Sequence, residues 1–257
     1  MRRFVHLVTM LSVIAIPAAG WFIGQWSGGT TLAVYWFENV AMSMFIVAQI
    51  RIHQRWNPRR GHFRYRAPSA NRASSPMSFA KSFAVTSLTF SAAHGVFLGA
   101  MLFLLDRNGE SALASVDWRS VAFGCLSVLC FLAVDFVVDL LTLRQRTFAE
   151  MEQTANRAFQ RVVVVHLTLI LGLFGVAVTG APAAFFGVFV ALKTLLALSV
   201  VLPQWDPAEA PVWLSRVMNK VPNVQRGRSF EEHWAKDRED ENRRRAGNEE
   251  PWEGALP

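Results

Sequence analysis

The sequence predicts an all-α membrane protein, a bundle of six transmembrane helices with cytoplasmic N- and C-termini. Two observations carry this. Apolar runs recur at about 4–24, 31–50, 82–105, 121–143, 162–180 and 182–202, in a chain of 257 residues that is 52% hydrophobic. Each run is long enough to cross a hydrocarbon core of roughly 30 Å. Basic residues also fall on one side: of the 26 Lys and Arg, only Arg107 and Arg119 flank the opposite side, and Lys193 lies inside a run. That asymmetry puts both termini inside. Helices are expected because an open sheet edge cannot be left in lipid. The domain division is a transmembrane part, 1–203, and a cytoplasmic tail, 204–257.

The first run begins after Arg2-Arg3 and carries His6, Pro17 and the pair Gly20 and Gly24. Small residues four apart let helices approach closely in lipid. The basic start and Pro17-Ala18-Ala19 also fit a signal peptide, but Trp21, Phe22 and Ile23 extend the run to spanning length. The short turn 25–30 makes the first two spans antiparallel neighbours.

The second span holds Tyr35-Trp36-Phe37-Glu38-Asn39. Thr31, Tyr35, Glu38, Asn39, Met42 and Gln49 fall roughly on one face at helical spacing. A carboxylate in lipid is costly and must find a partner, a proton or a water-filled cavity. The loop 51–81 follows, with eight Lys or Arg and no acid. Such a loop is expected to lie against anionic headgroups. The net charge of +7 reflects that loop, and nucleic acid binding is not expected.

The third span carries Ser87, Ser91 and His94 on one stripe, beside Gly95 and Gly99. The fourth holds Asp135 and Asp139 one turn apart. Two dry carboxylates on one face repel, so one should carry a raised pKa or a cation partner. Cys125 and Cys130, five residues apart, are separated by about 7.5 Å along the axis and do not suit a disulfide. The fifth span carries His166 and the sixth Lys193. Val212, Trp213, Val217 and Val221, alternating with Arg216 and Lys220, suit a short interfacial helix. The segment 229–245 is charged and helical in pattern, and the last dozen residues are expected to be disordered.

Depth sorts the polar residues. At 1.5 Å per residue, Glu38 and His94 each lie about 20 Å from their flanking cytoplasmic charge and Lys193 about 16 Å. They form one candidate buried site, Glu38, Asn39, His94 and Lys193. Asp139 and His166 each lie about 8 Å in, giving an inner cluster of Asp139, His166, His6 and Asp135. His166 and Asp139, with His6 or Asp135, have ligand types suited to a divalent metal such as zinc or iron. The bland reading of each lone histidine is a satisfied packing residue.

The segments Tyr35-Trp36-x-Glu38-Asn39, His94-Gly95-x-Phe97 and Arg161-x4-His166 together resemble an uncharacterised bacterial integral-membrane family, a domain of unknown function. The resemblance spans roughly Thr31 to Gly180. The family pattern has a second histidine eight residues before His94, where this chain has Thr86. The resemblance supports Glu38, His94 and His166 as site residues and implies a multi-pass protein of the bacterial inner membrane. It implies no chemistry.

No GxSxG, HExxH, Walker A, GxGxxG or paired CxxC motif occurs. Three functions remain open: transport or proton relay through the buried Glu, His, Lys and Asp site, a metal- or cofactor-dependent membrane enzyme, and a non-catalytic scaffold. Expected partners are the bilayer with its anionic headgroups and, as a further option, a second copy of the chain.

Overall fold

The computed structural model describes residues 2–68, 77–160, 162–163, 207–220 and 229–254, with the side chains of 2–7 among those left out. The fifth and sixth expected spans, and with them His166 and Lys193, lie outside the described residues, as does the side chain of His6. The described residues are helical, with no strand and two isolated bridges, Arg59 with Pro251 and Tyr65 with Met77.

The elements are α1 (Arg2–Phe22), α2 (Gly28–Trp56), α3 (Arg60–Phe63), α4 (Phe79–Arg107), α5 (Ser111–Ala114), α6 (Trp118–Leu143), α7 (148–160), α8 (Val212–Met218) and α9 (Phe230–Glu249). Three of them, α2, α4 and α6, are long and apolar enough to cross a membrane. Their ends are set by local chemistry. Ser27 caps α2 by accepting from the Thr30 amide at 3.1 Å, and Pro58 forbids its continuation beyond Asn57. Ser78 caps α4 and Asp117 caps α6. Gly109, with φ +88°, turns the chain out of α4.

Helix α2 is the central element. It packs against α1, α4 and α6, and buries residues all around its first turns, from Gly28 to Tyr35. Helices α4 and α6 bury one stripe each and leave Val96, Phe103, Phe123, Leu126 and Leu141 exposed. That distribution suits helices facing lipid.

Two apolar clusters fix the antiparallel register of α2 and α4. Leu32 and Tyr35 meet Leu98 and Met101 at one end. Ile46 and Ile50 meet Phe79, Ala80 and Phe83 at the other, where Leu143, Phe148, Met151 and Ala155 complete the core. The Trp36 indole donates to the Ser91 carbonyl at 2.9 Å. It passes so close to Gly95 that a Cβ there would lie 2.9 Å from the ring nitrogen. Of the glycine pairs, Gly95 therefore serves a close approach, whereas Gly99 faces open space.

The tail's charged segment forms α9, and residues beyond it rest on the loop. Helix α9 starts with a capping box, in which Ser229 and Glu232 satisfy each other's backbone amides. Beyond α9, Trp252 stacks on Phe63 with centroids 4.4 Å apart, and its amide donates to the Pro58 carbonyl at 3.3 Å. Loop residues Arg59 and Arg60 pair with Glu249 and Glu250 of the tail. An acidic tail and an acid-free basic loop neutralise each other, and the aromatic pair adds apolar burial.

Candidate functional site

Buried polar side chains run along α2. Glu38 is 1% exposed and Asn39 4%. On α4, the buried stripe Ser87, Ser91, His94 places His94, 2% exposed, toward the bundle interior. The register that sets Tyr35 against Leu98 and Ile46 against Phe83 puts Glu38 and His94 at about the same level along α2 and α4. Both are buried along the middle part of their helices.

The carboxylates of α6 are held by different partners. Thr9 of α1 donates to Asp135 Oδ1 at 2.9 Å. Asp139 accepts from Gln49 Nε2 at 3.1 Å on one oxygen and pairs with the Arg146 guanidinium through the other. Both side chains of that ion pair are less than a tenth exposed. Asp139 therefore has a cation beside it, and its lone pairs already serve Gln49 and Arg146. Among the described residues no group of three or more His, Cys, Asp or Glu could hold a metal ion, and His166, the other candidate ligand, lies outside them.

Next to this ion pair sits a buried histidine couple. His53 Nδ1 and His62 Nε2 are 2.9 Å apart, and both rings are fully buried. The Arg59 amide donates to His62 Nδ1 at 3.1 Å, so that nitrogen carries no proton. In neutral His62 the proton then sits on Nε2 and is donated to His53 Nδ1. The His53 proton in turn sits on Nε2, which lies 2.9 Å from the Arg146 carbonyl oxygen. One direction of donation, from Arg59 through both rings to Arg146, satisfies all four ring nitrogens. Burial, and then the neighbouring His53, pushes the His62 pKa down to about 3.

Around the couple, the tail completes a polar platform. The Glu249 carboxylate accepts from the Phe148 and Ala149 amides at 3.2 and 3.1 Å, capping α7 from a distant part of the chain. Glu152 of α7 receives the Tyr65 hydroxyl at 2.5 Å and both terminal nitrogens of Arg244 at 2.7 and 3.1 Å. Asn248 pairs with both backbone polar groups of Arg66. Burial, and then Glu152, raises the Tyr65 pKa.

A family model described as a family of unknown function, DUF6498, matches residues 1–212. The chain belongs to this family. Neither the curated proteins nor the solved structures give a match. The DUF6498 match includes Glu38, His94, Asp135, Asp139, the histidine couple and Arg146, and stops before α9 and the docked tail.

Of the residues singled out from sequence, Glu38, Asn39 and His94 are buried, and Asp139 lies nearer the basic end of α2, beside Gln49. Residues not singled out are His53, His62, Arg146, Glu152 and Arg244. A signal for the docking of the tail existed: a loop with eight positive charges and no acid needs neutralising, the tail is acid-rich, and Arg59 and Arg60 meet Glu249 and Glu250. For Arg146, seven residues after Asp139, two helical turns would place both on one face. In the structure the helix ends at Leu143 and the turn after it brings Arg146 back onto Asp139.

Proposed function

We propose that this DUF6498 member is a multi-pass protein of the bacterial inner membrane. It has six spans at 4–24, 31–50, 82–105, 121–143, 162–180 and 182–202, with both termini on the basic, cytoplasmic side. Its function is transport or proton relay through the bundle. The observation that carries the reading is the burial of Glu38 at mid-helix, level with His94. An ionisable pair at that depth is expensive to keep and marks an ion or proton path by default. Asp135 and Asp139 continue the ionisable positions toward the basic end, with Gln49 and the histidine couple beside them. Lys193 and His166 are the further candidates for this path.

The test is proton flux into proteoliposomes carrying a trapped pH-sensitive dye, under an imposed potential. Glu38→Gln keeps the shape and removes the titrating group, so it should abolish flux with the fold retained. Wild-type flux in the Glu38→Gln protein would refute the relay.

A second reading, a scaffold whose buried charges fix helix packing, is favoured by the Asp139–Arg146 pair. That pair is fully engaged within the chain. The scaffold reading expects Glu38→Gln to lose stability and no separable activity.

A further inference from the structure

We propose that the His53–His62 couple is an acid-sensitive latch that holds the 58–66 segment in the shape on which the tail, 244–252, docks. The proposal does not depend on what crosses the bundle.

The geometry runs from the rings to the tail in short steps. The His62 ring accepts the Arg59 amide, which fixes the turn between α2 and α3. That turn presents Pro58 O to the Trp252 amide and the Arg60 amide to Glu250 O at 2.7 Å. The Arg59 guanidinium reaches the Glu249 carbonyl at 3.2 Å. At its other end the couple grips the Arg146 carbonyl, which also accepts from Asn57 at 3.2 Å. Arg146 lies in the turn into α7, whose first amides Glu249 caps. Both surfaces that receive the tail are thus tied to the same two rings.

The chain of donation works for neutral rings alone. A proton added to His62 Nδ1 faces the Arg59 N–H, and one added to His53 Nδ1 faces the His62 Nε2–H. Either places two hydrogens between two nitrogens, so protonation must break the chain. The charged groups facing the couple are Arg59 from the α2–α3 turn, Arg146 from the α6–α7 turn and Glu249 from the tail. The two arginines oppose a positive ring and Glu249 favours one. Helix α7 offers the edge of the Phe148 ring, T-shaped to His62 at 4.9 Å. Burial against that ring leaves an added charge without water. Released rings titrate near the ordinary histidine value of about 6.5. Below that value each ring that takes up a proton weakens docking by about tenfold per pH unit.

The experiment is hydrogen–deuterium exchange on the full-length protein in detergent. Protection of the Phe148, Ala149, Arg60 and Trp252 amides is followed from pH 7.5 to 5, corrected for intrinsic exchange. Wild type should lose protection as pH falls, with a slope of one to two decades per unit. The double variant His53→Gln, His62→Gln keeps one acceptor and one donor at each position and cannot titrate, so its protection should stay flat. The same fall in the double variant would assign the effect to Glu152, Glu249 and Glu250 and overturn the latch. So would a flat wild-type profile. Should the double variant lack protection already at pH 7.5, nitrogen-15 shifts of the wild-type rings decide. Imidazolium signals appearing as protection is lost support the latch, and rings still neutral at that point overturn it.

Discussion

Replacing Arg146 with Met removes the positive member of a buried ion pair while keeping most of the side-chain volume. The Asp139 carboxylate, about a fourteenth exposed, would keep the Gln49 hydrogen bond and lose its guanidinium partner. Breaking a buried pair from one side costs about 3–5 kcal/mol, because an uncompensated charge stays out of water. The backbone carbonyl that His53 and Asn57 grip survives any substitution at 146, so the loss isolates the charge. Asp139→Leu in the Arg146→Met background removes the stranded charge and leaves the Gln49 amide short of one acceptor, at about 1–3 kcal/mol. The double variant should therefore be more stable than Arg146→Met by about 2 kcal/mol, with the two single losses far from additive. Equilibrium unfolding in mixed detergent micelles, followed by tryptophan fluorescence, measures all four corners of the cycle. A loss below about 1 kcal/mol for Arg146→Met, or additive single losses, would refute the buried pair.

Further predictions address packing, capping and pH. Gly61→Ala would place a Cβ 2.4 Å from the Phe148 ring in a closed core, and should cost about 1–3 kcal/mol in the same unfolding assay. Glu249→Gln should weaken the α7 cap by about 1 kcal/mol, and adding salt to wild type should mimic part of the loss. For His62, the folded pKa of about 3 lies below the unfolded value near 6.5, so between them the unfolded chain binds more protons. Stability is then complete above about pH 6.5 and falls by about 1.4 kcal/mol for each unit below it, until the pH nears the folded value. Thermal unfolding of wild type against His62→Gln over that window should show a smaller acid-side loss in the variant.

The legible part of the molecule was what one helix determines alone. Long apolar runs give α2, α4 and α6, since hydropathy and length suffice to mark a span. The carboxylate in Glu38 and the ring of His94 interrupt such runs, so burial follows from their place, and helical rise gives their common depth. Contacts between distant segments left weaker traces. Arg146 reads from sequence as one more flanking cation, because charge asymmetry reports sidedness and not partnership. His53 and His62 sit among arginines and look like surface residues until the tail covers the loop. Residues 246–254 are polar and low in hydrophobicity, which suggests disorder, yet Trp252 and Asn248 each find a specific seat. Composition averages over such a segment, whereas docking depends on a few of its members.

The Glu249 cap on α7 has a consequence for biogenesis. The ribosome makes α7 about a hundred residues before the carboxylate that satisfies its first two amides. The α2–α3 turn waits longer, about 190 residues, for Glu250. During that interval the platform at the basic end exists with its helix start uncapped, its arginines unneutralised and Phe63 without its stacking partner. Ordering by long-range closure is slow and leaves sticky surfaces in the meantime. A nascent chain stalled between residues 160 and 244 would therefore carry a recognisable unfinished face, the kind of surface that chaperones and membrane proteases survey.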